Sequence, residues 1–565
     1  MLPLTKKSLK RVDLVVFAII CVATLLRIIL IYLHWPVTNS DEGNMGLLAR
    51  HIAYNGEWPI FFYGLPYMGP LEGYIAAPLF HLFGPSTFLL RLGLLSFFPL
   101  FLICMYYLTR LLFTHRMAIF IVVLLCFGSD DIISRQVKAV GEYPEMLFFA
   151  AFISFVAIWL VLSSSTVDQQ KRTTPRRIFI YGMLGLVAGV AVWVDFLILP
   201  FIGTSIVLLL LFRRRELLSW AGLSLLVGLL IGLLPLLIYN VSAPVGQNSF
   251  EVLLSLHHRS SGQQLPFMQQ VVGTFMVSIP NATGFVPRCS IDSFPFFGTP
   301  NAQCIILQSA WGGGYLVLWI IATVLAIVVI WRLWKGRSFL HPGWSFEERQ
   351  SLIRQACQLM LLLSAMGTII LYVSSVDPAM YPEATARYLE CVLIAFPVTL
   401  WPLWNGLNIW RIRENWRTTI SVVIRGGLLL LLLFMFVQGT SGVLWEIPAA
   451  QDAYQQQDLM VQKLLDVGAT RIYADYWTCN RLTFQSEEKI ICAALDEQLN
   501  PAFDRYIKYR YAVRTAPHPA YVFQQGTRDV RKLDARMIND PQFGTTYQRL
   551  TFENYVIYVA TSPTT

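Results

Sequence analysis

The segment DLVVFAIICVATLLRIILIYL (residues 13–33) decides the class of this protein. It is almost entirely apolar, and a helix needs about 20 such residues to cross the roughly 30 Å of hydrocarbon in a bilayer. A basic stretch precedes it, as in a signal peptide, and contains Lys6, Lys7, Lys10 and Arg11. The apolar run is too long for a signal peptide, however, and it lacks a small-x-small cleavage site. We therefore predict an uncleaved first membrane span with its N-terminus in the cytoplasm.

The same pattern recurs along the whole chain. Of its 565 residues, 55% are hydrophobic and only 14% are charged, whereas soluble proteins carry about 25% charged residues. Further segments that are long and apolar enough to span a bilayer lie near residues 87–109, 117–129, 141–162, 178–194, 197–212, 217–239, 311–333, 352–374, 387–405 and 422–441. With the first, they predict a polytopic α-helical membrane protein of about eleven spans.

The positions of the basic residues support this count. Clusters of Lys and Arg occur near residues 110–116, 171–177, 213–215, 332–337 and 411–417, and every one falls on the side that holds the N-terminus. Cytoplasmic loops carry such an excess of positive charge. The net charge of +9 is thus explained by membrane topology, and we predict no binding of nucleic acid.

Three regions then remain for the outer face: a loop at 34–86, a loop at 240–310 and a tail at 445–565. The tail is polar and mixed in pattern. RIYADYWT (471–478) and PAYVF (519–523) predict short strands, and DLMVQKLLDVG (458–468) predicts a helix that ends at a glycine. We expect a transmembrane domain at 1–444 and a small extracytoplasmic α/β domain at 445–565.

Cysteine usage agrees with this sidedness. Five of the nine cysteines lie in predicted spans, and the other four form one local pair in each of two outer regions, Cys289 with Cys304 and Cys479 with Cys492. Disulfides form in oxidising compartments. We predict these two disulfides, with four free thiols as the alternative.

The first outer loop contains three acids in aromatic surroundings. DEGNMGLLARHIAYNG (41–56) and GPLEGYIAAPLFHLFG (69–84) have helical apolar spacing and end in glycine, which predicts two amphipathic helices at the membrane surface. Asp41 and Glu42 open the first helix and Glu72 opens the second. One interpretation is that the acids favour the start of a helix that Asn39 or Ser40 caps. The alternative is that they belong to a functional site, because placing a carboxylate beside apolar surface costs free energy.

The second outer turn, SDDIISRQVKAVGEYPE (129–145), poses the same choice. Arg135 and Lys138 have the i, i+3 spacing that would place them on one helix face, and Glu142 has it with Glu145. The turn is either a solvated connector with balanced charge or part of a functional site. Acids from two loops are also suitable ligands for a divalent cation, but no dedicated metal motif occurs, and the metal stays unassigned.

These motifs occur in an order that resembles one enzyme superfamily. A long first span is followed by an acid pair, YNGEWP (54–59), PLEGY (70–74) and LFGPSTFLLRL (82–92), and later by LLPLLIYN (233–240) and ATARYLE (384–390). This order resembles the GT-C superfamily of membrane glycosyltransferases, in particular its protein mannosyltransferase and aminoarabinose transferase branch. The resemblance covers roughly residues 10 to 440.

The resemblance implies a reaction and an outward-facing site. Such enzymes move a sugar from a polyprenyl-phosphate carrier to a protein, lipid or glycan acceptor at the extracytoplasmic face, usually with inversion. It implies that Asp41 is the general base, that Glu42 is a catalytic residue beside it, and that Glu142 is a second active-site acid. It also implies a multi-pass protein of the plasma membrane.

Several further residues are expected to bind substrate. In the context of the resemblance, the donor phosphate would be bound by Arg387 with Tyr388, by Arg135 with Lys138, and by His258 or Arg259 of the second outer loop. Glu72 stands where several relatives have a His- or Lys-containing stretch, so it is expected to bind a metal or orient the acceptor.

The main alternative is a transporter or flippase for a lipid-linked or small polar substrate. Transporters usually show repeated halves and broken helices with polar residues near the midplane. This chain instead keeps its charges at the predicted outer surface and has a large outer domain, which favours the enzyme.

Overall fold

The structure is a computed structural model that describes residues 6–163, 174–261, 265–335, 345–407 and 416–561. Within these ranges, the side chains of residues 6–12, 256–261 and 417–418 lie outside the described part.

Helices make up most of the described chain. The first α-helices are α1 (Lys6–Tyr32), α2 (Ser40–Arg50), α3 (Leu71–Phe83), α4 (Thr87–Leu94), α5 (Phe97–Leu112), α6 (His115–Leu125), α7 (Asp130–Val137), α8 (Tyr143–Leu162) and α9 (Pro175–Val194). They are followed by α10 (Leu199–Leu217), α11 (Trp220–Gly232), α12 (Leu234–Ser242), α13 (Ser249–Ser261), α14 (Phe267–Val272), α15 (Ile279–Ala282), α16 (Ala302–Trp334) and α17 (Phe346–Val373).

The remaining α-helices are α18 (Asp377–Met380), α19 (Pro382–Thr385), α20 (Phe396–Thr399), α21 (Trp401–Trp404), α22 (Trp416–Asp466), α23 (Tyr476–Gln485), α24 (Ile507–Arg514), α25 (Arg528–Asn539) and α26 (Pro541–Thr546). Two π-helical segments lie at His51–Asn55 and Gly273–Ser278, and two 3-10 segments lie at Phe196–Ile198 and Ala386–Ala395.

The predicted polytopic architecture is confirmed. In the described residues, nine helical segments are long and apolar enough to cross a membrane, and there are up to eleven if each of two bent pairs is one span. The eleven correspond one to one with the segments expected from hydropathy. The pair α6 and α7 bends by 85° and the pair α11 and α12 by 57°. The second bend precedes Pro235 in the first turn of α12, and proline disrupts a continuing helix because it lacks the backbone N–H.

The chain divides into two compact units. Unit one contains residues 1–26, 95–136 and 142–444. Within it, α9 and α11 pack backbone to backbone through glycines. A Cβ added to Gly185 would lie 2.0 Å from the carbonyl oxygen of Leu225, and one added to Gly228 would lie 2.1 Å from the carbonyl oxygen of Gly182. Only glycine allows two helices to approach this closely. Such close packing stabilises helix pairs in lipid, where no hydrophobic effect drives them together.

Unit two contains residues 27–94, 137–141 and 445–565. Its sheet has five strands, β1 (Arg471–Ala474), β2 (Ile491–Ala494), β3 (Ala520–Gln524), β4 (Tyr547–Phe552) and β5 (Tyr555–Ala560). The spatial order is β2-β1-β3-β5-β4; β2, β1 and β3 are parallel, and β5 pairs antiparallel with β3 and β4. Apolar residues from the sheet and from α22 and α23 form its core, among them Leu464, Ile472, Leu482, Val522 and Ile557.

The predicted elements of the tail form with one correction. The strand expected over 471–478 ends at Ala474. The reason is that Asp475 caps α23, its side chain accepting a hydrogen bond from the backbone N–H of Thr478. The helix expected at 458–468 is the end of the long helix α22, and Gly468 follows it with a left-handed φ of 72°, as a glycine stop requires.

Both predicted cysteine pairs are disulfide-bonded in the structure. Cys289 bonds to Cys304 in unit one, and Cys479 bonds to Cys492 in unit two, where the bond joins α23 to β2. The five cysteines of the predicted spans, all within the described residues, are free thiols.

Helix α2 is more enclosed than an amphipathic surface helix. Nine of its eleven residues are buried. It packs on α23, where a Cβ added to Gly43 would lie 2.6 Å from the carbonyl oxygen of Asn480 and one added to Gly46 would lie 2.5 Å from the Phe484 ring. The two glycines therefore let α23 cover a side of α2 that the sequence pattern leaves to solvent.

Candidate active site

Asp41 lies in the first turn of α2, where the chain caps the helix as expected. The Asn39 side chain accepts a hydrogen bond from the backbone N–H of Glu42 and is the N-cap. The two acids that follow also favour the positive end of the helix. The capping interpretation of this stretch is therefore correct, and it leaves open what the two carboxylates do.

The Asp41 carboxylate is held through one of its two oxygens. Its Oδ1 accepts hydrogen bonds from the phenol of Tyr476 and from Nη2 of Arg505, the latter at 2.7 Å. Nε of Arg505 donates to the Tyr476 oxygen, also at 2.7 Å. The side chain of Asp41 is 21% exposed, and its Oδ2 has no hydrogen-bond partner within the described part of the chain. One oxygen is thus fixed, and the second is available to a substrate.

Arg505 is enclosed by aromatic rings. Its guanidinium carbon lies 5.0 Å from the ring centroid of Phe62, 5.7 Å from that of Tyr476 and 5.4 Å from that of Phe503. Burial disfavours the charge of Arg505, but the Asp41 carboxylate and the Tyr476 oxygen together outweigh this effect and raise the pKa of Arg505 above its ordinary value. Burial also raises the pKa of the Tyr476 phenol, so Tyr476 stays a hydrogen-bond donor to Asp41.

Glu42, the neighbour of Asp41, forms a buried ion pair with Arg91. Its Oε1 and Oε2 accept from Nε and Nη2 of Arg91 at 2.7 and 2.6 Å, and Oε1 also accepts from the backbone N–H of Ala139 at 3.1 Å. Burial alone would raise the pKa of the Glu42 carboxyl, but the Arg91 guanidinium holds it below its ordinary value. Because both oxygens are occupied and Glu42 is 1% exposed, this geometry favours a structural role over the catalytic one expected from the sequence.

Glu72 and Lys138 also lie in unit two. Glu72 is fully buried in α3, and its Oε2 accepts from the backbone N–H of Gly141 at 2.8 Å. Nζ of Lys138 donates to the carbonyl oxygen of Val37 at 2.7 Å. The expectation that Lys138 shares a helix face with Arg135 is wrong, because α7 ends at Val137.

Glu142 belongs to unit one and has a strained backbone. It precedes α8 with a φ of 73°, a left-handed value unusual for a residue with a side chain. Its buried carboxyl lies beside that of Asp195, which also caps the 3-10 segment by accepting from the backbone N–H of Leu197 at 2.7 Å. Asp195 is therefore both a cap and a neighbour of Glu142.

Two arginines of unit one meet at one aromatic ring. The guanidinium carbons of Arg135 and Arg387 lie 5.4 and 5.5 Å from the centroid of the Tyr143 ring, and Nη2 of Arg387 donates to the Tyr388 oxygen at 3.3 Å. Their Nε atoms are buried and have no hydrogen-bond partner among the described residues. Both arginines line one cavity together with the acids Asp131, Glu383 and Glu390.

The remaining predictions concern the second outer loop and a metal site. His258 and Arg259 belong to α13, but their side chains lie outside the described residues. Within the described ranges, no group of three or more His, Cys, Asp or Glu side chains is arranged to hold a metal ion. Sequence reasoning did not find Tyr476 and Arg505, which are 435 and 464 residues from Asp41 in the chain and follow no local motif.

Comparison with known proteins identifies the fold. No protein-family model matches the chain, and no curated protein matches it in sequence. The chain matches the crystal structure of ArnT from Cupriavidus metallidurans bound to undecaprenyl phosphate with a TM-score of 0.54 at 14% identity, over 96% of this chain and 97% of that one. The apo structure of the same protein matches with a TM-score of 0.51 at 14% identity, over 98% of each chain.

The oligosaccharyltransferase of Archaeoglobus fulgidus matches with a TM-score of 0.49 at 13% identity, over 90% of this chain and 69% of that one. The likeness to ArnT over almost the whole chain shows that this multi-pass membrane protein has the GT-C fold. The resemblance predicted from the first-loop motifs is thus confirmed at the level of the fold.

We predict that Glu42→Gln lowers the free energy of unfolding by about 3–5 kcal/mol, because it leaves the Arg91 charge buried without its partner. Denaturant unfolding of the purified protein, followed by tryptophan fluorescence, measures the change. The control is Glu497→Gln, which breaks an exposed pair with Arg528 and is expected to cost less than about 1 kcal/mol. Equal effects of the two variants would show that the Glu42 pair has no special structural role.

Proposed function

We propose that this protein is an integral-membrane glycosyltransferase that moves a sugar from a polyprenyl-phosphate donor to an acceptor hydroxyl on the extracytoplasmic face. The observation that carries the proposal is the match of 96% of the chain to the fold of ArnT in a structure bound to undecaprenyl phosphate. The half-free Asp41 carboxylate in the first outer loop supplies a chemical group suited to this reaction.

In the proposed reaction, Asp41 is the general base. Its Oδ2 accepts the proton of the acceptor hydroxyl as that oxygen attacks the anomeric carbon from the face opposite the phosphate, which inverts the configuration. General bases of this kind contribute about 10²–10⁴-fold to the rate. Arg505 and Tyr476 are positioning residues, because they bind Oδ1 and so fix the direction of the reacting oxygen.

The leaving group of this reaction is a lipid phosphate, which needs cationic donors. Arg387 and Arg135 supply them in the proposal, since each keeps a buried Nε with no partner among the described residues. Tyr388 holds the Arg387 guanidinium. Glu142 acts as the second acid, beside the buried Asp195 carboxyl. Lys138 and Glu72, bound to backbone groups in unit two, are assigned to shaping the first outer loop.

The proposal also includes an orientation. The N-terminus lies in the cytoplasm, and the region from residue 445 lies outside the plasma membrane. The two disulfides support this orientation, because both lie in regions placed on the outer face by the distribution of basic residues, and disulfides persist in oxidising compartments.

We predict that Asp41→Asn lowers kcat by about 10²–10⁴-fold, since the amide cannot accept the proton. The assay measures transfer of label from a panel of radiolabelled polyprenyl-phosphate sugars to membrane extract by the purified protein. Asp452→Asn, at an exposed position of α22, is the matched control and is expected to keep wild-type activity.

The same assay separates chemistry from positioning. Tyr476→Phe keeps the Asp41 carboxylate and removes one hydrogen bond, so its loss of kcat is expected to be smaller than that of Asp41→Asn. Full activity of Asp41→Asn, with unchanged expression and folding, would disprove the role of Asp41 as the base.

We predict that Arg387→Met lowers kcat/KM for the lipid-phosphate donor by about 10- to 100-fold, the loss expected for a hydrogen bond to a charged group. Arg387→Lys is expected to recover part of this loss because it restores the charge. Arg528→Met, which alters an exposed cation, is the control. The donor role of Arg387 would be excluded if free undecaprenyl phosphate inhibited the wild type and Arg387→Met equally well.

We predict that a cysteine introduced by Gln498→Cys reacts with a membrane-impermeant maleimide on intact cells. A cysteine introduced by Arg116→Cys, at an exposed position in the first turn of α6, is expected to react only after the membrane is permeabilised. The reverse pattern would overturn the orientation, and with it the outward-facing site.

A further inference from the structure

The sheet of unit two contains a point where the chain reverses its winding direction. The parallel strands have the order β2-β1-β3. Helix α23 connects β1 to β2 on one side of it, and α24 then connects β2 to β3 on the opposite side of β1. In open α/β sheets, ligands bind outside the carboxyl ends of the strands at such a switch point. Here this point lies beyond Ala474 of β1 and Gln524 of β3.

An open crevice occupies this position. Its cavity volume is about 150 Å³. Helices α22 and α23, the end of β3 and the turn between β4 and β5 form its walls. Its polar lining consists mainly of Gln456, Gln457, Thr478, Arg481, Gln524 and Asn554.

The side chains of this lining are not used by the fold. Within the described residues, none of the six side chains donates or accepts a hydrogen bond or forms an ion pair, and Nε of Arg481 is buried without a partner. Nearby polar groups behave differently: the amide of Gln485 donates to Asp458, and Asp475 caps α23. The side chains of Gln456, Gln524 and Asn554 are exposed and are therefore accessible to a polar ligand, whereas the buried Nε of Arg481 is a donor that the fold leaves unsatisfied.

The chemistry of the lining selects the class of ligand. Side-chain amides and a hydroxyl both donate and accept, which suits hydroxyl groups. The one cation, Arg481, is balanced by the one anion, Glu553, so the crevice has no excess charge to attract a phosphate. The rings of Phe552 and Tyr555 add apolar surface. Amide groups around an apolar wall fit a sugar, which has hydroxyl edges and C–H faces.

We propose that this crevice binds a neutral saccharide unit of the acceptor. That the bound saccharide belongs to the acceptor rests on the proposed glycosyltransferase function, whereas the binding of a saccharide as such does not. Helix α23 connects the two sites: its first residue, Tyr476, holds the proposed base Asp41, and its residues Thr478 and Arg481 line the crevice. An acceptor sugar bound here would be anchored by the same helix that fixes the base.

The test uses the full chain in lipid nanodiscs and saturation-transfer NMR. The probes are glucose, galactose, mannose, N-acetylglucosamine, cellobiose and chitobiose, with glucuronic acid and inorganic phosphate as charged probes. We expect at least one neutral saccharide to bind. The double variant Gln456→Ala/Asn554→Ala is expected to weaken that binding about 10- to 30-fold, the loss of two neutral hydrogen bonds.

Both substituted residues are exposed, so the double variant is expected to fold, and its unfolding midpoint checks this. Gln548→Ala, at an exposed position of β4 that does not line the crevice, is the matched control and is expected to bind like the wild type. The saccharide site is overturned if no neutral probe binds, if a charged probe binds more tightly than the neutral ones, or if the double variant binds like the control.

The binding and transfer assays distinguish this proposal from the proposed function. Saccharide binding by a wild type that transfers no sugar from any donor would overturn the glycosyltransferase and leave the saccharide site supported. A double variant that loses saccharide binding but keeps the wild-type KM for the acceptor would overturn the assignment to the acceptor. A raised acceptor KM with an unchanged donor KM would support it.

Discussion

The buried ion pair of Glu42 and Arg91 lies where three segments of unit two meet. Arg91 comes from α4, Glu42 from the first turn of α2, and the pair binds two backbone groups besides: the carbonyl oxygen of Pro36 and the N–H of Ala139. Charges buried in this way are stable only when their hydrogen bonds are complete. The pair therefore fixes the start of α2 against α4, where the second span begins, and against the short segment 137–141.

Because Glu42 is fixed, so is the direction of Asp41. Successive residues of an α-helix are about 100° apart around the axis, so the two adjacent acids face different surroundings. Glu42 faces Arg91 in the interior, whereas Asp41 faces Tyr476 and Arg505 of the C-terminal region. The glycines of α2 allow this second contact, since a side chain at Gly43 would collide with the backbone of α23. The C-terminal region is thus part of the Asp41 environment.

The sequence is sufficient to predict the fold and the candidate acids, but not which of the acids is buried in an ion pair and which is accessible. Hydropathy and the basic clusters predict the spans because the bilayer imposes a length and a sidedness that local composition records. Which of two neighbouring carboxylates is buried depends on the rotation of α2 and on partners far away in the chain, so composition alone cannot separate Asp41 from Glu42.

Local geometry limits the other predictions in the same way. Helix α7 ends one residue before Lys138, and this single residue separates Lys138 from Arg135. Strand β1 ends at Ala474 because the next residue, Asp475, has a carboxylate that caps a helix and so competes with extension of the strand. Arg505 and Tyr476 lie in aromatic segments of the tail, where only the fold brings them to Asp41. Tertiary contacts decide each of these cases.

The two compact units carry different kinds of polar surface, which has a consequence for specificity. Unit one presents two arginines with buried, unused nitrogen atoms, whereas the crevice of unit two is neutral and rich in amides. In the proposed function, the donor is an anionic lipid and the acceptor is recognised by its hydroxyl groups. An excess of cations in the acceptor crevice would attract the donor phosphate and the lipid-phosphate product. A crevice in which one cation is balanced by one anion offers the donor no excess of positive charge, and such discrimination against the wrong ligand is as much a part of specificity as attraction to the right one.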